Sequence, residues 1–288
     1  MRIERIGDTT DLLGESCIWS VEEEALYWLD VRGRLLRRFD SRAGRTESFQ
    51  LPELAGSIGL RLQGGVLVAM QSGIVLFEPE TGALKPIARP SETIPHQRFN
   101  DGRCDRQGRF WAGTMDDVGR GPSGTLYRLD PDGMLVPVLG RVTIPNSLAW
   151  SPDGTTMYFS DTTSHAITAY DFDAASGAPS RPREFARTVA PATPDGSTVD
   201  AEGCLWNAEY DGWKVTRYAP DGRVDRVIDL PVRRPTCCAF GGPALSTLFV
   251  TTASQNLTEA ERAAQPLAGG LLAIEVGIRG LAEPFYLG

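Results

Sequence analysis

The chain has 288 residues, 41% hydrophobic and 23% charged, with a formal net charge of −8 and a pI near 5.0. Those proportions suit a globular protein with a substantial core, built as two average domains or as one large all-β domain. The acidic balance argues against nucleic-acid backbones and anionic membranes as partners, and no apolar run approaches transmembrane length.

The N-terminal stretch MRIERIGDTTDLLGES scatters charge along its length and lacks the apolar centre of a signal peptide. Short runs rich in Val, Leu, Tyr and Trp follow, separated by turn signals such as DPDG (130–133), SPDG (151–154), TPDG (193–196) and APDG (219–222). Aligned beneath one another, the runs repeat a unit: a polar or small residue, an apolar stretch, a turn, then an aromatic strand. The units are ESCIWSVEEEALYWLD (15–30), GSIGLRLQGGVLVAM (56–70), NDGRCDRQGRFWAGTM (100–115), NSLAWSPDGTTMYFSD (146–161), DGSTVDAEGCLWNAEY (195–210) and TCCAFGGPALSTLFVTT (236–252). Their starts lie 41, 44, 46, 49 and 41 residues apart. A period in the forties made of short strands is the signature of β-propeller blades, so the expected fold is all-β, a six-bladed β-propeller with four-stranded blades, as one domain over 1–288. Helical periodicity is confined to NLTEAERAAQ (256–265), and the C-terminal GGLLAIEVGIRGLAEPFYLG is expected to close the ring with the N-terminal segment.

In a propeller the first residues of successive units face one another across the central channel. Here they are Glu15, Gly56 with Ser57, Asn100 with Asp101, Asn146, Asp195 and Thr236. Taken singly, an Asp or Asn after a loop is an ordinary turn residue; four units carrying them in step point to a shared polar site. Carboxylates crowded into a partly desolvated channel stay ionised when a cation sits among them, and oxygen donors suit a hard divalent metal. Trp28, Trp111 and Trp206 recur at matched places in the unit and are expected to staple the blade cores, whereas Trp213, in a turn, is a candidate sugar-facing wall. His96, beside RFND, is a candidate for the pocket mouth, although a lone loop histidine is more often a bystander. Five cysteines (Cys17, Cys104, Cys204, Cys237 and Cys238), odd in number and without CxxC spacing, suit reduced thiols in a cytoplasmic protein, with Cys237 and Cys238 packed in the core.

LGESCIW, RFNDGRCDRQGRFWAGTM, IPNSLAWSPDGTTMYFSDT, PDGSTVDAEGCLWNAEYDG and CCAFGGPALSTLFVTTA, in that order and over nearly the full length, resemble the gluconolactonase, regucalcin and senescence-marker-protein family. The resemblance implies a six-bladed propeller that binds one divalent metal in its channel and hydrolyses sugar-acid lactones. It further implies Glu15, Asn146 and Asp195 as metal ligands, Arg98 and Asn100 as substrate-binding residues, and Asp195 as general base. Two departures stand out. Many members have Asn-Gly where this chain has Asn146-Ser147, and the position of the family's acidic substrate contact falls on Val118, beside Asp116 and Asp117.

The chemistry is consistent with that assignment. A divalent ion polarises a lactone carbonyl and acidifies water, a carboxylate takes the proton, and the permanently charged Arg98 stabilises developing negative charge. A covalent route is disfavoured, because no GxSxG is present and His96 and His165 are the only histidines. The favoured function is a metal-dependent sugar lactonase acting on glucono-, xylono-, galactono- or arabinono-lactone types. Its cofactor would be one divalent ion (Ca, Zn, Mn, Mg or Fe), and the chain a monomer or weak homo-oligomer. The alternatives are a propeller esterase or phosphotriesterase and a calcium-binding regulatory propeller without catalysis; Asp101 is the alternative proton acceptor.

Overall fold

Five of the six sequence units fold into an antiparallel sheet of four strands and the sixth into three strands of such a sheet, because their apolar residues bury against the neighbouring sheets while the turn signals reverse the chain. The structure, a computed structural model, describes residues 2–91 and 94–288. The six innermost strands are Gly14–Ser20, Ala55–Leu60, Gln97–Cys104, Pro145–Trp150, Thr193–Val199 and Pro235–Gly241. Each packs against the next and the sixth against the first, which closes a six-bladed propeller. All six expected unit starts fall inside these strands.

Closure uses both ends of the chain. The sixth blade takes three strands from its own unit, and its fourth is the N-terminal Ile3–Ile6, paired with Leu271–Glu275. Beyond residue 275 the tail crosses the end of the channel away from the cavity described below. Bridges from Gly280 to Asp200 and from Tyr286 to Arg61 tie it to blades five and two. Glu283 on this tail pairs with the buried Arg103 at 3.3 Å, which plugs that end. The α-helix Glu259–Ala264 lies within the expected segment, with Thr258 and Glu261 forming a reciprocal capping box. No helix among the described residues is long and apolar enough to cross a membrane.

The matched tryptophans are the blade staples. Trp28, Trp111 and Trp206 are fully buried, and each indole N–H donates to a buried carboxylate: Asp11 at 2.7 Å, Asp105 at 2.8 Å and Asp200 at 2.8 Å. An arginine completes each set, Arg37, Arg109 and Arg217 respectively. In blade three, Asp105 also accepts the backbone N–H groups of Gln107 and Arg109, so one carboxylate shapes the hairpin turn and anchors the strand that follows it. Asp105→Ala strands the Trp111 N–H and removes the one carboxylate paired with Arg109 among the described residues. It is expected to cost about 3–5 kcal/mol, read as a lower urea midpoint at unchanged slope. All five cysteines are free and buried.

Candidate active site

The six innermost strands share one irregularity. Ladder pairing is interrupted between Glu15 and Ile18, Ala55 and Ser57, Phe99 and Gly102, Asn146 and Ala149, Pro194 and Ser197, and Pro235 and Cys237. A bulge bends its strand and re-aims the residues it contains, so a repeated bulge turns one polar position of every blade toward the axis. This is why Asn and Asp, poor strand formers, recur at the strand mouths. Ser147 sits in the bulge at φ +61°, a left-handed conformation that suits glycine and explains the family's preference there. Its hydroxyl offsets the strain by donating to the Asp195 carbonyl oxygen at 2.6 Å, and Asn207 Nδ2 donates to that same oxygen at 3.0 Å. Gly196 is required by contact: a Cβ there would stand 2.6 Å from Cys237 Sγ, too close for blades five and six to meet.

The bulges open onto a cavity of about 690 Å³. Glu15, Arg98, Asn100, Asn146 and Asp195 all line it, so the five expected site residues come together from blades one, three, four and five. The wall above them is built from the loops joining second and third strands: Arg32 in blade one, Arg120 in blade three, Thr162 to His165 in blade four, Asp211 in blade five, and Gln255 with Asn256 in blade six. In blade two that loop is only Gln71 and Ser72, and a neighbouring cleft lies there instead. His96 lines that cleft and not the cavity. Trp213 is also displaced from its expected place. It lines a separate groove beyond Asp211, 42% exposed, because the left-handed turn at Asp211 and Trp213 carries the indole past the rim. His165, which carried no sequence signal, takes a place at the cavity wall.

A hydrogen-bond chain links the polar residues. Arg98 Nη1 donates to Asn100 Oδ1 at 2.8 Å, Asn100 Nδ2 donates to Asn146 Oδ1 at 3.0 Å, and Asn146 Nδ2 donates to Thr162 Oγ1 at 2.7 Å. Beside the exposed Val118, Asp117 is the acid that pairs with the cavity-lining Arg98. It accepts Arg98 Nε at 2.9 Å and both terminal nitrogens of Arg32, at 2.5 and 2.8 Å, whereas Val118 is 70% exposed. Burial pushes the Asp117 carboxyl up, but the two guanidiniums hold it below the usual range. Arg32 lies 85 residues from Asp117 in a turn that resembles any exposed loop, and nothing in the sequence marks it.

The carboxylates at the floor behave differently. Burial, reinforced by the charges of Asp195, Cys237 and Asp101, pushes Glu15 well above the ordinary range. Burial and the charge of Asp101 do the same to Asp195, which receives one lowering contact, from the Gly196 backbone N–H. Asp101 is turned into the wall, where it accepts the Leu148 and Gly102 backbone N–H groups, and burial pushes it up to about 6. Among the described residues no three His, Cys, Asp or Glu side chains form a metal-holding group. The convergent donors are two carboxylates and an amide. Glu15 and Asp195 have no side-chain hydrogen-bond donor among the described residues, and Asn146 Oδ1 uses one of its two lone pairs. Such an oxygen set, under-supplied with positive charge, fits a hard divalent cation.

Residues 13–254 match the family described as SMP-30/Gluconolactonase/LRE-like region. A 6-deoxy-6-sulfogluconolactonase of Pseudomonas putida is 42% identical over 279 residues, 96% of each chain. An L-arabinolactonase of Azospirillum brasilense is 35% identical, with 98% of this chain and 95% of that one covered. A crystal structure of regucalcin from Agrobacterium tumefaciens strain C58, described as a calcium-binding protein, superposes with a TM-score of 0.94 at 31% identity, over 98% of this chain and 96% of that one.

Proposed function

The chain belongs to the SMP-30/gluconolactonase/LRE-like family, and on that footing we propose that it is a divalent-metal-dependent hydrolase that opens sugar-acid lactones to aldonic acids. The observation that carries the reading is the convergence of Glu15, Asn146 and Asp195 beside the Arg98–Asn100 pair in one cavity. Relatives named as lactonases of sugars support the substrate class, and a relative described as calcium-binding supports a metal.

Glu15, Asn146 and Asp195 would hold the cation, which supplies Lewis acidity toward the lactone carbonyl and lowers the pKa of water. The chain's own residues do the rest. Asp195, which a cation beside it would keep ionised, takes the proton of the attacking water at a carboxylate oxygen. Arg98 keeps Nη2 without a protein acceptor among the described residues, so it donates to substrate oxygen while Nε and Nη1 hold Asp117 and Asn100. The plugged far end leaves the cavity mouth as the route for substrate and product.

The test is proton release from gluconolactone, xylonolactone, galactonolactone and arabinonolactone, with and without chelator. Opening that stops with chelator and returns with added metal supports the reading; metal binding without opening of any lactone leaves the calcium-binding alternative. Arg98→Ala is expected to raise KM and to lower kcat/KM about 10- to 100-fold, the loss of charge-assisted hydrogen bonds worth about 1.5–3 kcal/mol. Metal content should stay near wild type, because Arg98 touches none of the three donors directly. Normal kinetics in this variant would remove Arg98 from the substrate site.

A further inference from the structure

The chain carries 37 acidic and 29 basic residues, yet the cavity rim reverses that balance. Four arginines line the cavity: Arg32, Arg98, Arg120 and Arg234. The acids at the rim are outnumbered. Asp117 is shared by Arg32 and Arg98, and Asp211 accepts Arg234 Nε at 2.8 Å and Arg233 Nε, also at 2.8 Å. Arg120 is exposed at the mouth and has no acid or hydrogen-bond acceptor among the described residues. With a divalent ion balancing Glu15 and Asp195, four guanidiniums around the cavity face two carboxylates, an excess of two positive charges.

The donor count matters as much as the charge. Both oxygens of Asp117 are occupied by arginine and Asp211 keeps only Oδ2 open, so a sugar hydroxyl seeking a carboxylate acceptor at the rim finds few. An oxyanion, which only accepts, finds unpartnered N–H groups among the described residues: those of Arg120, together with Nη2 of Arg234. Arg234 is 8% exposed and its guanidinium lies over the Tyr210 ring at 5.3 Å, so its fork is fixed in place before a ligand arrives. Burying guanidiniums that must share their counter-ions costs stability unless something else supplies the missing charge.

We propose that the rim is an anion subsite, with Arg120 setting its selectivity, and that the preferred lactone carries a tetrahedral oxyanion, a sulfonate or a phosphate ester, on the carbon farthest from the lactone carbonyl. The proposal rests on the lactonase reading of the same cavity. The shared chemistry is an acceptor-only, multiply oxygenated anion recognised by guanidinium forks. Asp195, with the cation that it, Glu15 and Asn146 would hold, would act at the ring carbonyl while the rim fixes the charged end.

Glucono-1,5-lactone, its 6-phospho form and its 6-deoxy-6-sulfo form separate the cases. Wild type is expected to favour at least one charged lactone by tenfold or more in kcat/KM, and the two charged arms tell sulfonate from phosphate. Arg120→Ala should lower the charged-to-neutral ratio about 10- to 100-fold, and Arg120→Lys should keep most of it. Raising ionic strength from about 0.01 M to about 0.15 M shortens the screening length from about 30 Å to about 8 Å, and should erode only the charged arms. A neutral preference in wild type, or a ratio indifferent to Arg120→Ala and Arg120→Glu alike, overturns the subsite. Calorimetric binding of 6-phosphogluconate and 6-deoxy-6-sulfogluconate against gluconate gives a readout independent of turnover. Tighter, Arg120-dependent binding of either charged acid in a protein that opens no lactone sustains the subsite and removes the lactonase reading. Equal binding of all three acids, with lactones opened normally and without charge preference, does the reverse.

Discussion

Asp195→Asn, supplied with excess divalent metal, is expected to open its lactone about 10²- to 10⁴-fold more slowly than wild type, the usual span for loss of a general base. The substitution is nearly isosteric, and the backbone oxygen of residue 195 is fixed independently by the Ser147 hydroxyl and the Asn207 amide. Position is therefore conserved while proton affinity is lost. An amide oxygen still coordinates weakly, so excess metal restores part of the occupancy and none of the base. Asp101 is a poor substitute, since its oxygens accept two backbone N–H groups and it does not line the cavity. The measurement is the initial rate of proton release, corrected for spontaneous hydrolysis, with metal content assayed on the same samples. A rate within a few-fold of wild type at full occupancy would assign proton transfer to another group.

The propeller was legible because the bulge repeats. A strand mouth carrying Asn or Asp conflicts with local propensity, and the same conflict at intervals in the forties has one economical source, a set of blades turning the same position toward one axis. Glu15, Asn100, Asn146 and Asp195 could be read off in this way because each belongs to the repeated strand. The rim could not. Arg32, Asp117 and His165 lie in loops between second and third strands, whose lengths differ from blade to blade, and Arg234 lies in the connection from the outer strand of blade five to the innermost strand of blade six, so no period brings them into step. Trp213 shows the cost of reasoning by proximity: it is two residues from Asp211, which faces the cavity, yet its left-handed backbone places it in the next groove. His96 stands outside the cavity, as a lone loop histidine more often does, because the short loop of blade two leaves a cleft beside it. The departure at Ser147 was visible in sequence, but its compensation, a hydroxyl tied to the backbone of Asp195, needed the fold.

Glu15→Gln is expected to separate stability from function in opposite directions. Burial penalises the charge of Glu15, and repulsion from Asp195, Cys237 and Asp101 across the channel floor adds to that cost. Without metal, a neutral amide of the same size removes that repulsion, so the metal-free variant should exceed metal-free wild type by about 1 kcal/mol, within the range typical of relieved functional strain. With metal the order reverses. Wild type gains RT ln(1 + [L]/Kd), about 2.7 kcal/mol at a hundredfold excess over Kd, whereas the variant has lost one of its two anionic donors and gains little. Lactone opening should fall with occupancy. Thermal melts of both proteins across a metal titration, with metal content after dialysis, check the crossing. A purely structural Glu15 predicts something else: lower stability on substitution and an unchanged response to metal. Coincident curves would place the cation elsewhere, and a variant less stable in chelator than wild type would mean that Glu15 meets a positive partner in the channel, with Arg98, the one cation that lowers its pKa, the first candidate.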